Sequence, residues 1–383
     1  MTTLNALNLL LASPMPHGPW GLPEQASTLA PPIDFVFDVI TWICVAFFVL
    51  IVGLMVWFMI RYSKPPGTPA ESNVTHHTPL EVTWTVIPLI LVIVIFYVGM
   101  KGYIEVRSAP LGAYQVNVVA QKWSWTFNYA NGASPSNLIV PVNRPVKLLM
   151  SSQDVLHSLY IPAFRVKQDV VPGRITSLWF EAIEPGVYDL YCAEYCGTQH
   201  STMLAKVEVL EDADFNARMI EEANWADKVP ANKLYVGGPR LYARCKSCHS
   251  LDGSAMTGPT WQHVWADAVA GNILFTDGTE LKDLMGPGLM FEGPEDYIMK
   301  SITNPQQKLV MNYSGAMPTF QGQLDATEIA IITQFLQNLD KFDAEGNPLD
   351  PDDDLTLILK NAKEAEAANP PSNGGPPQGG GAP

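Results

Sequence analysis

The sequence predicts a membrane-anchored chain of several domains: a two-helix transmembrane hairpin, an all-β sandwich and an all-α domain. Three observations predict it. Two long uncharged apolar runs lie early in the chain, and short β-branched and aromatic runs broken by Pro and Gly follow them. Helical periodicity then returns from about residue 231. A length of 383 residues also exceeds one ordinary domain.

Residues 1–30 include LNALNLLLASPM, an apolar stretch with no Lys or Arg before it, and therefore a poor secretory signal. The segment is either a signal remnant or an exported arm. Val39 to Ile60 is a run of 22 residues without a charge, enough to cross about 30 Å of hydrocarbon. Val82 to Met100 is a second such run of 19 residues, with Pro88 in its first turns, where a missing N–H costs least. Helices are expected over about 35–61 and 82–103, within a hairpin spanning 31–104. The short connection carries Arg61 and Lys64, which places it in the cytoplasm and both termini outside. The sandwich is expected over 105–210, an acidic helical linker over 211–230, and the all-α domain over 231–342. Residues 343–383 read as an acidic, Pro/Gly-rich tail that buries too little apolar surface to fold. Lys and Arg number 23 against 38 Asp and Glu, a net charge of −15. That balance excludes nucleic acid as a partner and suits cationic ones.

Residues 192–203 read CAEYCGTQHSTM, placing Cys192, Cys196, His200 and Met203 in one loop. Thiolate, imidazole and thioether together form the ligand set of copper in electron transfer. One cysteine suggests a mononuclear site; two, four residues apart, can place both sulfurs between two metals. Side chains at i and i+4 share a face of an extended segment, and Gly197 allows the loop to bend tightly. The further imidazole is expected from His157, in QDVLHSLY, after the strand-like run PVKLLM. The competing reading, a Cys192–Cys196 disulfide, leaves the adjacent His and Met unexplained.

With these residues in hand, the chain resembles cytochrome c oxidase subunit II over about residues 30–210. PLEVTWTVIP (79–88) resembles the start of that family's second membrane helix, QKWSWTFNY (121–129) its aromatic strand, and FRVKQDVVPGR (164–174) the segment between its ligand strands. The resemblance implies a cupredoxin sandwich holding a dinuclear copper (CuA) through His157, Cys192, Cys196, His200, Met203 and the backbone carbonyl of Glu194. It also implies that the Glu194 carboxylate binds a magnesium ion shared with subunit I. Trp123 matches the family's surface tryptophan through which electrons arrive, although packing is the plainer reading for Trp125 beside it. Glu81, three residues before Trp84, matches a glutamate near the mouth of a proton path; its plainer reading is an interfacial carboxylate. His76 and His77 read as solvated, and Cys44 as a packing thiol.

RCKSCHS contains Cys245, Cys248 and His249, the C-x-x-C-H signature of covalent haem c attachment. Zinc would want two further ligands at matching spacing, and none is in sight. KLYVGGPRLYARCKSCH resembles the N-terminal helix of class I cytochromes c, and Gly258-Pro259 the segment whose carbonyl holds the proximal His. The sixth iron ligand is expected from Met317 in GAMPTF, ahead of the periodic run ATEIAIITQFLQNL. Met311 is a weaker candidate and Met256 too close to His249. A Met–His pair raises the haem potential. The stretch 261–296 follows the cytochrome pattern loosely, and His263 within it reads as a surface or propionate-side residue.

The resemblance implies subunit II of a haem-c-carrying (caa-type) respiratory oxidase, a translocase, in a bacterial cytoplasmic (inner) membrane, with its soluble domains on the periplasmic side. Its partners would be oxidase subunits I and III, and its donor a cytochrome c or a quinol-oxidising complex. Electrons would pass through haem c to the dinuclear copper and on to subunit I, where oxygen becomes water with proton translocation. The alternative is the copper-bearing subunit of a haem–copper nitric oxide reductase. A quinol oxidase is disfavoured because its subunit II lacks the copper ligands, and a free-standing shuttle because it needs at most one span.

Overall fold

The structure is a computed structural model that describes residues 21–69 and 74–368, with side chains as far as residue 361. His17 and most of the expected N-terminal arm lie outside the described residues, as do residues 369–383. The described residues form two compact units, the first mainly of residues up to 218 and the second mainly of residues from 219.

The first unit opens with helices α1 (Ala30–Arg61) and α2 (Thr78–Arg107), of 32 and 30 residues. At about 1.5 Å per residue each outruns the roughly 30 Å of a bilayer core. Both begin before the uncharged runs do, because Pro in the first turn presets the helical φ of each start. At α2 the His77 ring accepts from the Leu80 N–H at 3.3 Å. The Glu81 carboxylate accepts from the His77 N–H at 2.8 Å, so the two side chains satisfy reciprocal orphan donors. His77 is thus a helix cap rather than a merely solvated residue. Large apolar side chains of both helices, such as Phe48 at 67% and Phe96 at 68%, stand exposed, as lipid-facing groups must.

Nine strands follow: β1 (Tyr114–Gln121), β2 (Ser124–Asn128), β3 (Leu138–Pro141), β4 (Pro145–Ser152), β5 (His157–Ile161), β6 (Val166–Val170), β7 (Thr176–Glu181), β8 (Gly186–Cys192) and β9 (Leu204–Leu210). They form two sheets, β2-β1-β4-β7 and β3-β9-β8-β5-β6, with β1/β4 and β3/β9 parallel. Along β4 the alternate residues Val146, Leu148 and Met150 are fully buried, the period-two pattern of a strand with one face in a core. Phe127, Phe164 and Phe180 are fully buried as well, and the Phe164 and Phe180 rings touch with centroids 4.9 Å apart.

The sandwich is tied to both membrane helices. Just ahead of α1, Ser27 bridges Ala182, and the Thr28 N–H donates to the Glu181 carbonyl at 3.0 Å. Arg165 then grips Asp34 of α1 through Nε at 2.8 Å and Nη2 at 2.9 Å, and also donates to the Pro162 and Pro23 carbonyls. At α2, the Trp179 indole donates to the Glu105 carbonyl at 3.0 Å, and Arg107 donates to Gln168 at 2.7 Å.

The second unit is helical, entered through α3 (Asp212–Ala223). It contains α4 (Gly238–Tyr242), α5 (Val264–Ala270), α6 (Leu281–Leu284), α7 (Pro294–Thr303), α8 (Ala326–Gln337) and α9 (Leu355–Ala368). Its core gathers Tyr235, Leu241, Phe275, Phe291, Ile331 and Phe335. A Cβ on Gly238 would lie 2.2 Å from Phe335 Cγ, so the close crossing of α4 and α8 requires glycine there. A capping box of Asp325 and Glu328 starts α8.

One expectation is overturned. The segment 343–368, read as part of an unfolded tail, is folded in the described residues. Asp343, Asp350 and Asp354 spend their carboxylates on neighbouring backbone N–H groups. Asp353 binds Lys233 Nζ at 2.7 Å and the Tyr235 hydroxyl at 3.1 Å, while Leu355 and Ile358 of α9 pack on the helical core. An acidic composition signals disorder only where the carboxylates lack such partners.

Candidate metal centre

The fold brings His157 and Cys192 onto adjacent strands. β5 and β8 pair antiparallel with Leu159 opposite Cys192, so the histidine that opens β5 stands beside the cysteine that closes β8. His157 Nδ1 lies 3.9 Å from Cys192 Sγ. The chain then loops to β9. Within that loop Cys196 Sγ lies 3.4 Å from His200 Nδ1 and 3.9 Å from Met203 Sδ, and Cys192 Sγ lies 3.3 Å from the Glu194 carbonyl. One ligand atom from each of His157, Cys192 and Cys196 falls within 4.8 Å of the others. The two sulfurs are not joined in a disulfide.

This donor set fits a copper pair. Two thiols, a thioether and two imidazole nitrogens are soft and borderline ligands, with one harder carbonyl oxygen beside them, and His157 and Met203 are 0% exposed. Gly197, at a φ of 121°, turns the loop directly after Cys196, on the way to His200. A Cβ there would stand 3.0 Å from the Trp123 ring.

Two residues around the site carry roles the sequence reading missed. Asp154 accepts from His157 Nε2 at 2.8 Å, which leaves Nδ1 facing the sulfurs. Burial opposes protonation of His157, but the bonds and charges of Asp154 and Cys192 together outweigh it, so its pKa is raised. The D-x-x-H spacing was the available signal. The Trp123 indole donates to the Cys196 carbonyl at 3.2 Å, fastening the aromatic side chain to the ligand loop. Trp123 is only 5% exposed, so the expectation of a surface tryptophan is not met; Trp125, at 3%, is core as expected. The Glu194 side chain is exposed.

In the helical unit, Cys245, Cys248, His249 and Met317 line one cavity, together with apolar residues such as Ile302 and Leu336. Met311 and Met256 are not among the lining residues. His249 Nδ1 is 2.7 Å from the Pro259 carbonyl, which leaves Nε2 as the acceptor nitrogen. Burial lowers the His249 pKa, keeping the ring neutral, and pushes the Cys245 thiol up to about 12. A Cβ on Gly258 would sit 2.6 Å from His249 Cε1, so glycine lets the backbone close on the ring. These residues fit a covalent haem: paired thiols, a neutral imidazole and a thioether facing an apolar cavity. His263 is exposed at the start of α5, as its surface reading required.

Comparison with known proteins bears on the helical hairpin and the sandwich. Residues 16–101 match the family described as cytochrome c oxidase subunit II, transmembrane domain, and residues 133–210 match cytochrome c oxidase subunit II, periplasmic domain. Cytochrome c oxidase subunit 2 of Alkalihalophilus pseudofirmus is 31% identical over 246 residues, covering 60% of this chain and 72% of that protein. Cytochrome c oxidase subunit 2 of Thermostichus vulcanus is 31% identical over 253 residues, covering 51% and 76%. Among solved structures, the periplasmic domain of subunit II of cytochrome oxidase from Bradyrhizobium japonicum is 25% identical. It covers 31% of this chain and 99% of that one, with a TM-score of 0.30.

Proposed function

Because this chain belongs to the cytochrome c oxidase subunit II family, we propose that it is the electron-accepting subunit of a haem-c-carrying branch of those oxidases. It is a subunit of cytochrome c oxidase, a haem–copper oxidoreductase, and it associates with other oxidase subunits. The two apolar helices and the periplasmic domain make it a membrane-anchored subunit.

In this reading His157, Cys192, Cys196, His200, Met203 and the Glu194 carbonyl hold a dinuclear copper. Cys245 and Cys248 would attach the haem c, and His249 and Met317 would ligate its iron. When bound, these groups supply reversible one-electron transfer, while the oxygen chemistry and proton translocation belong to subunit I. The chain's own residues shape that transfer by excluding water and holding tautomers. Buried His157, Cys192, Cys196 and Met203 keep solvent from the sulfurs, and Asp154 aims the His157 ring. The Pro259 carbonyl does the same for His249.

The exposed Glu194 carboxylate would share a magnesium ion with subunit I, and Trp123, bonded to the Cys196 carbonyl, would conduct electrons to the copper. Glu81 would stand at a proton-path entrance, with the Arg61 and Lys64 connection in the cytoplasm and both soluble units periplasmic. Residues 231–342 would form a class I cytochrome c domain receiving electrons from a cytochrome c or a quinol-oxidising complex.

The observation that carries the proposal is one chain holding both donor sets: His157, Cys192 and Cys196 within 4.8 Å, and Cys245, Cys248, His249 and Met317 lining a single cavity. The test is spectroscopy on the purified membrane complex. It should show a mixed-valence copper EPR signal beside a low-spin haem c band, and it should consume oxygen. Cys196→Ser should lose the copper signal and keep the haem band. An intact copper spectrum in that variant would end the dinuclear assignment, and nitric oxide reduction without oxygen uptake would end the oxidase reading.

A further inference from the structure

Met317 sits in a turn between α7 and α8, and the turn is held at three places. Downstream, the Thr319 hydroxyl donates to the Thr303 carbonyl at 2.6 Å, and the Phe320 N–H donates to the Ile302 carbonyl at 3.1 Å. These bonds fasten the turn's exit to the last residues of α7. Upstream, the Tyr313 N–H donates to the Val310 carbonyl at 3.2 Å, and Asn312 adopts a left-handed φ of 70°. Between these points the polypeptide must present the thioether to the cavity. The third hold is there. Gln306, just beyond the end of α7, donates through Nε2 to the Gly315 carbonyl at 2.8 Å and to the Met317 carbonyl at 3.0 Å.

We propose that Gln306 is the positioning residue of the Met317 loop, a carboxamide clamp that fixes where the thioether projects. The inference rests on the reading of Met317 as the sixth iron ligand and deepens it. One NH2 group has two N–H bonds, and here both are spent on carbonyls that flank Ala316. Locking both peptides sets the Cα–Cβ direction of Met317, whose side chain lines the cavity and packs on the helical core. The amide orientation is dictated chemically, since a flipped amide would set its oxygen against two carbonyl oxygens. Gly315 completes the device. A Cβ there would lie 2.5 Å from Gln306 Oε1, so only glycine lets the amide lie flat over the turn. Gly315 does not have a left-handed φ, so alanine at that position tests the contact and not the backbone.

The test uses the full-length, haem-loaded chain in detergent, in the ferric state. Two readouts report the Met–iron bond: its weak long-wavelength charge-transfer band, and the apparent affinity for added imidazole, which must displace the thioether. Gln306→Ala should keep the covalent haem, weaken the band and raise imidazole affinity roughly tenfold or more, as both holding bonds are lost. Gly315→Ala should act in the same direction by pushing the amide away. The double variant should be no worse than Gln306→Ala alone, because both changes break one contact. Unchanged band and imidazole affinity in Gln306→Ala would overturn the clamp. If that variant does not fold, an unchanged affinity in Gly315→Ala does so. Met317→Leu separates the two readings: loss of its band leaves the ligand assignment standing whatever Gln306 does, whereas a retained band removes Met317 as the ligand and the clamp with it.

Discussion

Asp154 shows how much a single side chain adds to a ligand set. A histidine has two nitrogens, and a metal site needs one of them kept as an acceptor in a fixed direction. The Asp154 carboxylate, 2.8 Å from His157 Nε2, takes the other. Asp154→Asn should therefore leave all the proposed copper ligands in place while weakening copper affinity by about 10–100-fold, the usual effect of losing such an outer partner. Competitive copper titration checks this, and an unchanged affinity would reduce Asp154 to a surface carboxylate. Trp123 teaches a related point about its neighbour Cys196. A residue picked out for surface exposure proves buried and hydrogen-bonded to the metal loop, so whatever role it has in conduction is exercised from within the protein.

At the level of elements, the junction between sandwich and membrane helix is a buried ion pair rather than a loose hinge. Asp34 and Arg165 are 4% and 5% exposed at the side chain, with two bonds joining them and two more from Arg165 to carbonyls. Arg165 holds a left-handed φ of 56°, a conformation these four bonds keep in place. Arg165→Ala strands a buried carboxylate and should destabilise the first unit by about 3–5 kcal/mol, read from denaturant unfolding of the full chain in detergent. A loss under about 1 kcal/mol would mean the pair is solvated. Glu81 lies at the other helix and is now accounted for as a cap on α2. Glu81→Gln keeps that cap, because an amide oxygen accepts the same bond, but it removes the titratable proton. Slower oxygen turnover with unchanged helix stability is the expected result; unchanged turnover would leave Glu81 a cap alone.

Across the whole molecule, distant segments close on one another through paired charges. Asp353 reaches back to Lys233, and the bond from Lys233 outweighs burial to hold the Asp353 carboxyl below its ordinary value of 3.8. A carboxylate lowered in the folded state adds stability at pH above its unfolded value, and that stability is lost as the pH falls through the folded one. Thermal stability of the helical unit should thus drop from about pH 4 downward, with the 351–353 turn and α9 first to lose amide protection. Asp353→Asn should be less stable at pH 7 and should draw level with the parent as the pH falls through the folded value of Asp353; an unshifted acid limb would exclude this pair. Much was legible before any coordinates. The two spans, the CAEYCGTQHSTM loop and C-x-x-C-H are local patterns, because lipid thickness and close ligand spacing are read from contiguous residues. The folded segment 343–368, the burial of Trp123 and the Gln306 clamp were not legible. Each depends on partners that composition does not see, such as a lysine 120 residues away in sequence. The sequence by itself therefore determined which atoms could bind metal and haem and which runs could cross a membrane. The tertiary structure decided which nitrogen of His157 and of His249 is held and that Trp123 is buried against the ligand loop, because direction is set by contacts that composition does not show.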